Sequence, residues 1–331
     1  MPARGLAALA PFLPGLEGLL DDADISEIMI NGPRNVWIEK SGRLIPHPAP
    51  QLDARALERA AIHIARPLGL DPDKHPLIDA RLDDGSRVAI CVPPAIPAVA
   101  ITIRRFGKRS FSAEDLVQMG SLPKELLDEA SQVLRNRHNI LVSGGTGSGK
   151  TTLLNALIEL LPDDERIVSI EDTLELRIDS ANCVRFEARA LSGEHGVTIR
   201  DLVRHSLRHR PDHIVVGEVR GGEAADLLQA LNTGHGGSLT TIHANNAESA
   251  LSRLANCAMQ AGGNLPWEVT CRGVVDAIDL VIHITRRRGH RYVEDAIRVS
   301  DYDAESRRWA YIPVLFEAPR LAALGSGASV Q

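Results

Sequence analysis

The sequence predicts an α/β protein of two domains: a mostly parallel sheet with helices on both faces, preceded by a smaller α/β domain. Three observations predict it. Beyond residue 123, short continuous apolar strands alternate with helical stretches, the pattern of parallel strands buried on both faces. Before residue 106, shorter strands bounded by turn signals surround a single helix-periodic segment. The chain's 331 residues suffice for two domains of ordinary size.

The elements follow in order. Residues 5–20 are apolar but interrupted by Pro11, Pro14, Gly15 and Glu17, and no run reaches the ~18 residues that a membrane span needs. They read as a Pro-broken surface segment. Residues 25–30 read as a strand, or as a helix end leading into one, and Asn31-Gly32-Pro33 as a turn. Residues 35–39 read as a strand ended by Ser41-Gly42. Residues 52–65 carry helical spacing at Leu57, Ala60, Ala61 and Ile64, residues 81–92 read as a hairpin around Asp84-Gly85, and residues 99–103 as a strand. This gives an N-terminal α/β domain over 1–105 and a linker over 106–122. The main domain spans 123–318, with strands at 139–143, 166–170 and 213–216 and a helix at 152–161 stopped before Pro162. Residues 319–331, rich in Gly and Ser, read as a disordered tail.

The run Gly144-Gly145-Thr146-Gly147-Ser148-Gly149-Lys150-Thr151 fits G-x-x-x-x-G-K-[ST] at every fixed position, and lies between a strand and a helix as that motif requires. Glycines let backbone N–H groups turn toward phosphate oxygens, and the following helix, from Lys150 through Thr151 and Thr152, presents its positive end to the anion. Lys150 is expected to reach the β- and γ-phosphates of ATP, and the Thr151 hydroxyl to ligate Mg²⁺.

Hydrolysis also needs a group that orients water and a second contact to the metal. Two acidic clusters follow predicted strands, where a doubly wound sheet places its ligands: Glu171-Asp172-Thr173-Leu174-Glu175, and Gly217-Glu218. The second departs from the common pattern, in which an Asp ends that strand. Either Glu175 or Glu218 is a candidate catalytic acid, and Glu218 also a candidate metal contact. Residues 233–243 bring His235 among glycines, and a strand-like stretch then delivers His243 at its end as a candidate γ-phosphate sensor. Leu191-Ser192-Gly193-Glu194-His195 reads as a surface loop, and the basic turn Arg286-Arg287-Arg288-Gly289-His290-Arg291 as the tip of a solvated hairpin.

Composition narrows the class. Acidic residues exceed basic ones, 43 to 37, for a net charge of −6, so no direct sequence-specific nucleic-acid binding is expected. Cys91, Cys183, Cys257 and Cys271 form no C-x-x-C pair, which argues against a zinc site or a disulfide framework and for a reducing, cytoplasmic setting.

In this order, the phosphate loop, the acidic box 171–175, Gly217-Glu218 and the histidine box 235–243 resemble those of the secretion and pilus ATPases that serve type II and type IV secretion, type IV pili and conjugation. Arg208-His209-Arg210-Pro211-Asp212-His213-Ile214-Val215-Val216-Gly217-Glu218-Val219-Arg220-Gly221-Gly222-Glu223 and Thr241-Ile242-His243-Ala244-Asn245 are similar to the conjugation and type IV secretion branch, as is Asp24-Ile25-Ser26-Glu27-Ile28-Met29-Ile30-Asn31-Gly32. With no four-cysteine insert, the chain most resembles the TrbB-type conjugal-transfer ATPases over residues 15–315.

The resemblance implies a homohexameric ring, with each N-terminal domain closing over ATP held by a RecA-like domain and the linker acting as hinge. It implies Glu175 as the residue that polarises water, Glu218 near Mg²⁺ and His243 facing the γ-phosphate. Arg87, Arg104 and Arg105 match N-domain arginines that meet phosphate at a subunit boundary, and Arg204, Arg208 and Arg210 are candidates for contacts between protomers. It further implies docking on inner-membrane components of a secretion complex, peripherally at the cytoplasmic membrane. A Tad-type or other pilus ATPase, a non-hydrolysing nucleotide-binding scaffold and a nucleic-acid motor are the alternatives.

Overall fold

A computed structural model describes residues 5–40, 42–48, 52–105, 111–189, 196–262 and 265–317. The chain divides into two compact units, Met1–Arg109 and Ser110–Gln331. The loop expected at 191–195 and the tail expected at 319–331 lie outside the described residues.

The first unit contains a 3-10 helix (Leu6–Phe12), α1 (Glu17–Asp21), β1 (Ile25–Asn31), β2 (Val36–Lys40), β3 (Arg43–His47), α2 (Ala54–Ala65), β4 (Leu77–Arg81), β5 (Arg87–Cys91) and β6 (Ala100–Arg104). The strands form one antiparallel sheet in the order β3-β2-β1-β6-β5-β4. Alternating residues Ile28 and Ile30, Val88 and Ile90, and Ile101 and Ile103 are buried, in one core with Leu57, Ala60, Ala61 and Ile64 of α2. The Asp53 side chain caps α2 by accepting from Arg55 N.

The apolar start is core rather than surface. Leu6, Leu9, Leu13 and Leu16 recur every three or four residues and are all buried in that same cluster. Burial of each such side chain is worth about 1.5–3 kcal/mol, which outweighs the local cost of Pro11 and Pro14. The Leu6 N–H donates to the Asp84 carboxylate at 2.9 Å, fixing the segment to the β4–β5 turn. That hairpin is wider than its spacing predicts, because its first arm ends at Arg81 instead of beginning there. Strand β3 escapes sequence reading: it lies at the sheet edge, is largely exposed and contains Pro46.

The second unit contains α3 (Ala113–Gln118), α4 (Lys124–Arg135), β7 (Ile140–Gly144), α5 (Lys150–Ile158), β8 (Ile167–Glu171), β9 (Cys183–Glu187), α6 (Ile199–Ser206), β10 (His213–Val219), α7 (Glu223–Leu231), β11 (Leu239–Ile242), α8 (Ala247–Met259), α9 (Trp267–Ala277), β12 (Leu280–Arg287), β13 (His290–Asp303) and β14 (Arg308–Pro313). Its sheet runs β14-β13-β12-β7-β11-β10-β8-β9. The pairs from β12 to β9 are parallel, and β12–β13–β14 form an antiparallel extension.

Residue alternation splits the core between the two faces. Leu141, Val168, Ile170, Ile214 and Val216 pack with buried residues of α6, α7, α8 and α9. Ile140, Val142, Ile167, Val215 and Ile282 pack with residues of α3, α4 and α5. Part of the stretch read as a linker belongs to this second face: Ala113, Leu116 and Leu122 are buried there, and Ser112 and Asp115 cap α3 reciprocally. Its mixed composition concealed a short amphipathic helix.

Candidate functional site

Strand β7 is buried along its whole length and ends at Gly144, where the phosphate loop begins. Gly147 and Gly149 take φ of 68° and 104°, the left-handed region that glycine enters without strain. Gly144 is fixed by space: a Cβ there would lie 2.3 Å from the Ile284 carbonyl oxygen and 2.5 Å from Ser148 Oγ. Helix α5 opens at Lys150 with no acidic residue in its first turn, so its positive end faces the loop unopposed from within the helix. The buried Lys150 ammonium donates to the carbonyl oxygens of Gly144 at 3.1 Å and Gly145 at 3.0 Å, and lies 3.4 Å from both ring nitrogens of His243.

His243 follows β11, which is paired directly with β7, so its ring reaches the loop from the neighbouring strand. Its Nε2 meets Glu218 Oε1 at 2.6 Å. Burial, and then the positive charge of Lys150, hold the imidazole below its ordinary pKa, against the pull of Glu218. Glu218 sits where the β10–β11 register shifts between Val216 and Val219, an irregularity that re-aims a side chain at the end of a strand. Thr240 and Thr241 secure this edge by donating to the Val216 and Gly217 carbonyls at 3.0 and 2.7 Å.

Arg220 completes the row. Its guanidinium lies 2.6–2.7 Å from Glu218 Oε2 and 2.8 Å from Asp172 Oδ2. The charge of Glu175 also acts on it. Lys150, His243, Glu218, Arg220 and Asp172 thus form a continuous chain of contacts across the carboxyl ends of β7, β11, β10 and β8. Arg220 lies within the 208–223 stretch, and its sequence signal is an Arg two residues past Glu218 at a strand end.

Within the acidic box the two glutamates separate by environment. Glu171 is buried, and its Oε2 accepts from the backbone N–H of Glu175 at 2.6 Å and of Leu176 at 2.8 Å, while Arg185 approaches Oε1 at 3.6 Å. Burial pushes its carboxyl above the ordinary value despite those donors. Glu175 is half-buried at the loop that Glu171 pins. The glycine that replaces the usual strand-end Asp now has a reason: a Cβ at Gly217 would lie 3.1 Å from Glu171 Cγ. Room for the pinning carboxylate is made by omitting a side chain.

Other expected residues are elsewhere. His235 precedes β11 and therefore lies at the opposite end of the sheet, its Nδ1 3.0 Å from the Ala230 carbonyl oxygen. The glycines around it accommodate the chain's own backbone, since a Cβ on Gly236 would lie 2.0 Å from the Arg137 carbonyl oxygen. Arg87 and Arg104 are directly opposed across β5–β6 in the first unit, and Arg105 bonds the Asp22 carbonyl. Arg204 is engaged with Asp226 at 2.6 Å, Arg210 lies 3.7 Å from Asp212, and Arg208 is exposed. The tip of the 286–291 turn is exposed, as expected, and from it the exposed Arg291 donates to the Gly147 carbonyl at 3.0 Å.

Among the described residues no group of three His, Cys, Asp or Glu side chains is placed to hold a metal ion by itself. Among the described residues no helix is long and apolar enough to cross a membrane.

The model of the family described as type II/IV secretion system protein matches residues 15–301. The conjugal transfer protein TrbB of Rhizobium radiobacter is 37% identical over 289 residues, covering 86% of each chain. The type IV secretion system protein VirB11 of Brucella suis is 33% identical over 331 residues, covering 89% of this chain and 90% of that protein. In fold, the Legionella pneumophila ATPase DotB superposes with a TM-score of 0.60 at 23% identity, over 93% of this chain and 84% of that one.

Proposed function

Since the chain belongs to the type II/IV secretion system protein family, we propose that it is an ATP-hydrolysing motor of a type IV secretion or conjugative transfer apparatus. The carrying observation is the unbroken row from Lys150 through His243 to Glu218 and Arg220 beside a phosphate loop.

In this reading the backbone N–H groups of 145–150 and the start of α5 hold the β- and γ-phosphates of ATP. Lys150 exchanges its present partners, two loop carbonyls, for phosphate oxygens. Thr151 and Glu218 would be the protein contacts to Mg²⁺. Bound there, Mg²⁺ would neutralise charge developing on the phosphates. Glu175, set on the loop pinned by Glu171, orients the attacking water. Neutral His243 spends its one N–H on Glu218 and turns its other nitrogen to Lys150 as an acceptor, so a γ-phosphate that engages Lys150 alters that contact. Arg87 or Arg104 supplies an outside cation to the transition state, an effect worth about 10³–10⁵ in rate in other phosphoryl-transfer enzymes.

The second unit is then RecA-like, and the working assembly a homohexameric ring at the cytoplasmic face of the membrane, docked on inner-membrane secretion components. Phosphate release from ATP with Mg²⁺ by the purified chain tests the reading: turnover abolished by Glu175→Gln supports it. Tight ATP binding without phosphate release under any assembly state would favour a scaffold instead.

A further inference from the structure

Strand β12 overshoots the phosphate loop. Its Ile284 is level with Gly144, the last residue of β7, and Thr285, Arg286 and Arg287 continue beyond it at the ligand end of the sheet. The chain then reverses through Arg288 and Gly289, with φ of 51° and 86°, the two positive values of a tight hairpin turn. Ile284 and Arg286 are two residues apart and share a face. Both meet the loop: a Cβ on Gly149 would lie 3.5 Å from Ile284 Cδ1, and one on Gly147 would lie 3.3 Å from Arg286 Nη1.

Arg291 is the direct cross-strand partner of Arg286 and therefore lies on the same face. Its Nε donates to the Gly147 carbonyl at 3.0 Å, and its Cδ would lie 3.2 Å from a Cβ on Gly149. Arg287, on the other face, is ion-paired with Glu294. Two like charges directly opposite each other on an antiparallel pair repel. Both side chains lie against Gly147 or Gly149 of the loop, where a phosphate chain would attract both.

We infer that Arg286 and Arg291 form a second cationic wall of the nucleotide site, gripping the polyphosphate of ATP from the β12–β13 hairpin beside the phosphate loop. The inference rests on the nucleotide reading above. Arg291 also positions Gly147 through its carbonyl, so single variants of the two arginines separate charge from loop positioning.

The test is the affinity of the full chain for ATP, ADP and AMP, measured with Mg²⁺ in wild type, Arg286→Gln, Arg291→Gln, the double Gln variant and the double Lys variant, with thermal melting beside each. Charge-assisted contacts of this kind set the expected loss: the double Gln variant weakens ATP by about tenfold to a hundredfold, ADP less, and AMP least. The double Lys variant recovers most of the ATP affinity, which a purely structural role would not permit. ATP affinity within about twofold of wild type in a double Gln variant of unchanged melting temperature overturns the inference. So does an equal loss for ATP and AMP. Unchanged nucleotide affinity together with lost binding to phosphatidylglycerol vesicles would overturn it in favour of a lipid-facing hairpin. If Lys150→Ala loses ATP and the arginine variants do not, this inference fails and the nucleotide reading stands; if wild type binds no nucleotide, both fail.

Discussion

His243 Nε2 lies 2.6 Å from Glu218 Oε1, and the same ring is 3.4 Å from the Lys150 ammonium. One imidazole therefore touches both the group expected to hold phosphate and a carboxylate expected at the metal. Its pKa is lowered, first by burial and then by Lys150, so the neutral ring is the native form at neutral pH. The unfolded chain takes up a proton near pH 6.5 before the folded one does, and this site's contribution to stability is fully present above that value and lost as pH falls below it. His243→Gln should therefore lose less stability than wild type between pH 7.5 and 5.5 in urea denaturation. His283, also shifted downward by burial, remains in both proteins and cancels in the comparison. Identical pH dependence would mean His243 is not held neutral.

Gly144→Ala is expected to fail through shape. The added carbon would lie 2.3 Å from a backbone oxygen of β12, which cannot rotate away as a side chain does. Strain of this kind typically costs about 1–3 kcal/mol or more. The melting temperature should fall and ATP binding weaken, whereas Gly145→Ala, with nothing within 4 Å of its Cβ, should melt like wild type. Equal melting of the two variants would contradict the packing.

Glu171→Ala removes the acceptor of two backbone N–H groups, one of them buried. An orphaned buried donor costs about 1–3 kcal/mol, so stability should drop by an amount of that order. Turnover should fall further than ATP affinity, because the 172–176 loop carrying Glu175 loses its anchor while the phosphate loop does not. Loss of affinity without loss of turnover would exclude the pinning role.

The two candidate acids also differ in what they touch. Glu175→Gln should keep ATP affinity and lower turnover by about 10²–10⁴, the usual range for a positioned acid or base. Glu218→Gln should in addition weaken the Mg²⁺ dependence of turnover. Wild-type turnover in Glu175→Gln would transfer the catalytic role to Glu218.

Much of this was legible in sequence where a local signal fixes a local shape. The phosphate loop sits between strand and helix because glycines at 147 and 149 must take positive φ and Lys150 must open a helix. What escaped depends on tertiary packing. The leucines from Leu6 to Leu20 read as a surface segment because their prolines hid a three-to-four residue repeat that only a partner sheet can bury. His235 and His243 read as one box, although a strand of four residues sends them to opposite ends of the sheet. Arg220, Arg286 and Arg291 looked like ordinary charges, since only the β10–β11 irregularity and the overshoot of β12 bring them to the site.

The most direct measurement is ATP affinity of Lys150→Ala in the presence of Mg²⁺, with melting temperature as a check on the fold. Because Lys150 links the loop carbonyls, His243 and the expected phosphate position, affinity should fall about a hundredfold or more in a folded variant, as for removal of a charged partner from a desolvated site. Wild-type affinity in that variant would contradict it.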